Sequence, residues 1–221
     1  MNEKSQRFVI LRSFLLIGLI IYLFYSLFLQ NTNELRNQIQ SEIQSSRTVM
    51  PSDKWKLAVE NTENAFNILV NNYGLTEYIN QWLLPDDTKK KSSKGINFIA
   101  EKFISFNYTA ARNIPLLIFQ SLYRWFLILG WAVAFIPFLM AMFYDGMCQW
   151  KLKRYEFGKV TIQFYRIWFK AFMVISFLAM MYLLLPNLSL FNGVAQLFPP
   201  LALIILGIAI NRLWANYQKL M

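Results

Sequence analysis

The sequence predicts an all-α integral membrane protein of four transmembrane helices, with a helical domain looped out between the first and second. Three observations predict it: long uncharged apolar runs, cations gathered beside those runs, and helical periodicity in the one extended polar stretch. Of the 221 residues, 56% are hydrophobic and 17% aromatic, while only 15% are charged. The charges fall in blocks, and that placement matters more than the average, because lipid tolerates almost no unpaired charge.

The first apolar run is Phe8–Leu29, broken by Arg12 and Ser13 and preceded by Lys4 and Arg7. Arg12 lies about one turn inside and can extend its guanidinium to the headgroups. No small-residue cleavage site follows Leu29, so the run reads as an uncleaved anchor, with residues 1–29 forming the N-terminal stretch and first span.

Residues 30–112 are different in kind, with ten basic and nine acidic residues and many Asn and Gln. Leu35, Ile39 and Ile43 recur every fourth residue, which predicts a helix continuing the first span out of the bilayer. Trp55, Val59, Thr62, Phe66, Leu69 and Tyr73 follow alternating spacings of four and three and share one helix face. Pro51-Ser52-Asp53 starts that helix and Gly74 stops it. Leu75–Leu84 reads as a short helix ended by Pro85, and Asp86–Gly95 as an exposed loop. A second apolar stripe comprises Ile96, Ile99, Phe103, Phe106 and Ala110. Expected here is a small antiparallel helical domain.

Trp125–Tyr144 is an uncharged run of twenty residues bounded by Arg124 and Asp145, enough for one span within residues 113–145. Pro137 inside it is tolerable where a neighbouring helix satisfies the freed carbonyl. A basic loop over residues 146–170 follows, carrying Lys151, Lys153, Arg154, Lys159, Arg166 and Lys170. Ala171–Asn211 then holds no charge in forty-one positions, about twice what one span needs. Pro186-Asn187 and Asn192-Gly193 are turn signals, so the run divides into a span over 171–186, a turn over 187–194 and a last helix within 195–221.

Four spans put the N-terminal stretch, the 146–170 loop and the C-terminal stretch on one side. All three are cationic, and residues 30–112 are near neutral. The positive-inside rule therefore places the cationic side in the cytoplasm and residues 30–112 on the opposite side of the membrane.

Composition also excludes chemistry. There is no histidine, which removes the commonest general base and metal ligand. The single cysteine, Cys148, cannot form a disulfide within the chain. No nucleophile–base pair, Walker loop or metal-ligand cluster can be assembled, so no catalytic, metal or cofactor-binding residue is expected. The net charge of +10 suits a membrane surface or nucleic acid. Cations placed beside the spans favour anionic lipid at the cytoplasmic face, and no direct nucleic-acid contact is expected. The expected contact residues for lipid or partner are Lys151, Lys153, Arg154, Lys159, Asp145 and Arg124. Asp145 is expected to pair with Lys151 or Arg154 or to meet water, and Arg124 to anchor its helix at the headgroups. The face Trp55, Val59, Phe66, Leu69 and Tyr73 is the candidate contact surface of the outer domain.

From Tyr123 onward the chain resembles a family of inner-membrane proteins of integrating conjugative elements and conjugative plasmids. Arg124, Pro137, Asp145-Gly146, Lys151-Leu-Lys-Arg154, Glu156, the aromatic stretch through Tyr165, Leu183-Leu-Leu-Pro186 and Asn216-Tyr-Gln-Lys219 carry the resemblance by order and spacing. Family members often have a histidine near the position of Phe164 and Tyr165; this chain has none, so no imidazole role carries over. The resemblance implies a bacterial inner-membrane protein encoded beside the TraD-type coupling ATPase of a type IV secretion system. The expected function is a non-enzymatic scaffold that contacts other membrane subunits, the coupling ATPase or a second copy of itself. The rival readings are an exclusion- or immunity-type membrane protein and a small transporter or channel. The transporter would need a polar pore line, for which Ser176, Gln196 and Asn211 are the candidates.

Overall fold

A computed structural model describes residues 3–84, 97–153, 162–186 and 194–217. They form seven helices: α1 (Glu3–Phe28), α2 (Thr32–Ser46), α3 (Ser52–Asn71), α4 (Leu75–Leu83), α5 (Asn97–Lys153), α6 (Ile162–Leu184) and α7 (Val194–Ala215). No strand occurs among the described residues, as the all-α expectation requires. The expected loop Asp86–Gly95, Ile96, Arg154, Lys159 and the turn residues Asn187, Asn192 and Gly193 lie outside the described residues.

Among the described residues, three helices are long and apolar enough to cross a membrane: Ile104–Lys153 within α5, Gln163–Leu184 within α6 and Gln196–Ala215 within α7. A fourth is reached if Leu16–Phe28 and Thr32–Ser46 count together as one broken span. In the most apolar windows of α5 and α6 only 6% of residues are buried by the chain itself. Side chains such as Val133, Ile136, Met140, Ile167 and Val174 are therefore open to their surroundings. Such faces would be costly in water and cost nothing in hydrocarbon. The fold is compatible with a membrane protein.

The expectation that the first span runs straight on through Leu35 and Ile43 is corrected. α1 ends at Phe28 and the chain turns through 113° into α2. The cause is local polar chemistry. The amides of Leu29 and Gln30 both donate to the Tyr25 carbonyl, at 2.9 and 3.0 Å, which closes α1. Asn31 then caps α2, its Oδ1 accepting from the Asn33 amide at 3.0 Å. The apolar stripe of α2 survives the turn, with Leu35 and Ile39 buried.

The other boundaries follow their signals closely. α3 begins at Ser52, its first bond running from the Trp55 amide to the Pro51 carbonyl. Gly74 stands between α3 and α4 with φ of 60°, a left-handed conformation that a side chain would strain. α4 stops at Leu83, just before Pro85. α5 is longer than its apolar run: 57 residues, or about 85 Å at 1.5 Å per residue, carry it on through Pro115, Pro137 and Lys151. Residues 146–153 and 162–170, read from sequence as loop, are helical. Charge did not end the helix, because a cation in the last turn favours its negative end.

The residues cluster into two compact units. The first comprises 1–44, 59–123 and 185–190, and the second 45–58, 124–184 and 191–221. In the first unit Leu35, Ile39, Thr62, Ala110, Ala111 and Tyr123 are buried, and the Phe66 ring meets Phe119 edge-on at 5.4 Å. In the second, Met50, Ala58, Leu127, Tyr182 and Ala209 are buried. There a Cβ on Gly130 would lie 2.7 Å from Met50 Cε. The polar turn between α2 and α3 thus lies beside the uncharged run of α5 at its sixth position, and the run is not open along its whole length.

Candidate functional site

Three polar arrangements are built into these helices, two of them structural and one an open cleft. The first belongs to the first unit and centres on Asn113, which is fully buried. Its Nδ2 donates to the carbonyls of Ser26 at 3.0 Å and Gln30 at 3.0 Å, with a longer contact to Leu27 at 3.3 Å. Its Oδ1 accepts from the Thr32 hydroxyl at 2.8 Å. A helix end leaves carbonyls with no partner of their own, and α5 supplies one side chain that satisfies them. Around it the Ser26 hydroxyl donates to Gln30 Oε1, and Gln30 Nε2 donates to Gln38 Oε1, both at 2.8 Å. One helical stretch farther on, Gln120 Nε2 donates to Glu42 Oε2 at 2.7 Å.

The second arrangement lies in the second unit. Arg124, expected at the headgroups, is fully buried. Its Nη1 donates to the Tyr182 carbonyl at 2.6 Å, and its guanidinium carbon sits 5.1 Å from the centre of the Tyr182 ring. A buried cation needs such partners, since desolvation without them costs several kcal/mol. Asp145 is exposed, and its Oδ2 accepts from Gln149 Nε2 and Asn211 Nδ2, both at 2.7 Å. Asn211 also donates to the Met142 carbonyl at 2.9 Å. Close approach of α7 makes this possible. A Cβ on Gly146 would stand 2.7 Å from the Asn211 carbonyl oxygen, and one on Gly207 would stand 2.6 Å from the Phe138 ring. Lys153 Nζ donates to Asn216 Oδ1 at 2.9 Å, while Lys151 is exposed.

The third arrangement is a cleft of about 950 Å³ in the first unit. Asn31, Thr32, Asn33 and Arg36 of the α1–α2 turn, Thr76 and Asn80 of α4, and Tyr108, Thr109 and Arg112 of α5 supply its polar lining. Leu29, Leu84, Pro115 and Leu116 supply its apolar wall.

The sequence-selected residues thus separate. Trp55 lies in the second unit, where the Arg47 guanidinium stands 5.6 Å from its ring centre. Val59, Phe66 and Leu69 are half-buried in the first unit, and Tyr73, beyond the end of α3, is 67% exposed. Cys148 is half-buried. Sequence reasoning missed Asn113, Gln30 and Gln120. Their one signal was amides at the edge of apolar stretches, where a polar group survives only with a partner. Among the described residues, no group of three or more Cys, Asp or Glu side chains could hold a metal ion.

An all-helical protein with apolar helices of membrane-crossing length, tied by buried side-chain-to-backbone hydrogen bonds, belongs to the class of helical membrane-type proteins. Within that class the chain belongs to the DtrJ-like family: residues 29–218 match the family model described as IncC plasmid conjugative DNA transfer protein DtrJ-like. The kinship with conjugative elements read from Tyr123 onward therefore holds, and the match reaches back to the end of α1. No curated protein and no solved structure matches the chain.

Proposed function

We propose that this chain is a non-enzymatic inner-membrane subunit of a bacterial conjugative DNA-transfer apparatus of the type IV secretion class. Its helices would pack with other membrane subunits or a second copy, and its cationic side would contact the coupling ATPase. The single observation that carries the role in transfer is the family match along residues 29–218. In this reading the N-terminal stretch, residues 146–170 and the C-terminal stretch face the cytoplasm, and residues 30–112 face the periplasm. Exposed Lys151 is then free for anionic lipid or an acidic partner surface, while Lys153 is partly committed to Asn216.

Support for a scaffold over a transporter comes from where the polar groups of the apolar helices spend their hydrogen bonds. The Ser176 hydroxyl donates to the Phe172 carbonyl at 2.9 Å, and Asn211 is held by α5. The first bond stays within α6 and the second joins α7 to α5, a side-chain tie between helices that suits permanent assembly.

The test pairs deletion with capture. Removing the gene from a donor cell is expected to abolish plasmid transfer, with recovery by the intact chain supplied in trans. The tagged chain, extracted in mild detergent, is expected to bring down the coupling ATPase or another membrane subunit. Transfer that persists after deletion, together with recovery of a lone monomer, would refute the proposal.

A further inference from the structure

The cleft of the first unit has a charge pattern that the structural clamps do not explain. Two guanidiniums, Arg36 and Arg112, line it, and among the described residues no carboxylate does. Both side chains are exposed, so neither is held there by packing. Two helix N-termini add to them. Thr32 and Asn33 belong to the first turn of α2, and Thr76 to the first turn of α4, whose cap residue Gly74 offers no side chain to its free amides. Glu34 and Glu77 stand in the same turns, and Glu77 Oε2 lies 3.4 Å from where a Cβ on Gly74 would stand, so the α4 N-terminus already has an anion beside it and the two arginines are the main attraction. The Asn33 amide is already spent on Asn31 Oδ1, while the two guanidiniums match an oxyanion bidentately.

We infer that this cleft binds a phosphate group, gripped between Arg36 and Arg112 with Asn31, Asn80 and Thr76 as neutral donors. A tetrahedral phosphate diester presents its two charged oxygens and its ester oxygens in different directions, so guanidiniums on two helices can each reach it, whereas a planar carboxylate keeps its acceptors in one plane. The volume of about 950 Å³ exceeds what a lone phosphate fills. The wall of Leu29 and Leu116 continues along α1 into exposed Phe24 and Tyr25, which acyl chains would cover. The source these features favour is an anionic phospholipid headgroup. The inference does not rest on a role in DNA transfer.

Native mass spectrometry of the full chain in mild detergent tests it, with phosphatidylglycerol, phosphatidylcholine and inorganic phosphate added separately. Phosphatidylglycerol is expected to bind the wild type, and R36Q/R112Q to weaken that binding at least about tenfold, since even one lost charge-assisted bond gives that much and the variant removes two guanidiniums. R36K/R112K restores part of it, because lysine keeps the charge but not the fork. K54Q/K56Q, in the other unit and outside the cleft lining, leaves it unchanged. Arginine-dependent binding of inorganic phosphate without the lipid would support the phosphate site and assign it a free ligand. Equal binding by wild type and R36Q/R112Q, or phosphatidylcholine held as tightly as phosphatidylglycerol, would overturn the inference. Where the double variant fails to purify, Arg112→Gln alone decides by the same comparison.

Discussion

The guanidinium of Arg124 sits over the ring of Tyr182 and bonds through Nη1, at 2.6 Å, to the carbonyl of that same residue. One side chain of α5 therefore grips both the backbone and the ring of a single residue of α6. Lysine cannot repeat this, since its ammonium lacks the planar face. Arg124→Lys is expected to lower stability by about 1–3 kcal/mol, from the weakened charge-assisted bond and lost stacking. Thermal unfolding of the detergent-solubilised chain measures it. An unchanged midpoint would mean the pair contributes nothing.

Asn113 yields a sharper comparison. Asn113→Ala leaves the end of α1 without its donor and should cost about 1–3 kcal/mol. Asn113→Asp should cost more, because a carboxylate can only accept and would face the carbonyls of Ser26 and Gln30. The same unfolding experiment orders the two. Protease sensitivity at Leu29–Thr32 should rise in the same order.

Two glycines in apolar helices should respond with opposite sign. A Cβ at Gly146 meets backbone atoms of Asn211 at 2.7 and 3.1 Å, and backbone cannot swing aside. Gly146→Ala is expected to destabilise by about 1–3 kcal/mol through overpacking. Gly18 has nothing within 4 Å, so Gly18→Ala is expected to be neutral or to stabilise α1 by about 0.5–1 kcal/mol. Midpoints of unfolding for the two variants, measured side by side, settle the contrast.

Asn211 joins α7 to α5 through the Met142 carbonyl and the Asp145 carboxylate. Asn211→Leu, which keeps the branching but has no hydrogen-bonding group, should cost about 1–2 kcal/mol, and Asp145→Ala much less because Asp145 is exposed. A double-mutant cycle should return a coupling of about 0.5 kcal/mol or more. Strict additivity would show that the 2.7 Å contact is energetically idle.

Helix identity was legible in the sequence where physics is local. The Pro51 start, the Gly74 stop and the uncharged run from Ala171 each report on a few neighbouring residues. The bend after Phe28 was not legible, because Asn31 and Asn113 look like any other amides until the fold brings them together. Arg124 misled for the same reason: a cation at the edge of an apolar run has the same signature whether it faces headgroups or an aromatic ring. Asp145 was read as pairing with Lys151 or Arg154 or meeting water; it is exposed, and it also accepts from Gln149 and Asn211, two partners the sequence did not announce. Close helix approach at Gly146 decided that, and a glycine's neighbours across a fold leave no mark in sequence spacing. The cleft gathers residues from three segments, and no one of those segments announces it.

The bond between Asn113 and the Ser26 carbonyl spans 87 positions of chain. A ribosome adding about 5–20 residues each second needs roughly 4–17 s to cover that distance. Throughout that interval the Ser26 and Gln30 carbonyls lack their Asn113 donor, so the clamp on the end of α1 closes late in synthesis, only once Asn113 has emerged. Any factor that shelters nascent apolar segments has that window in which to act on α1, and none after it.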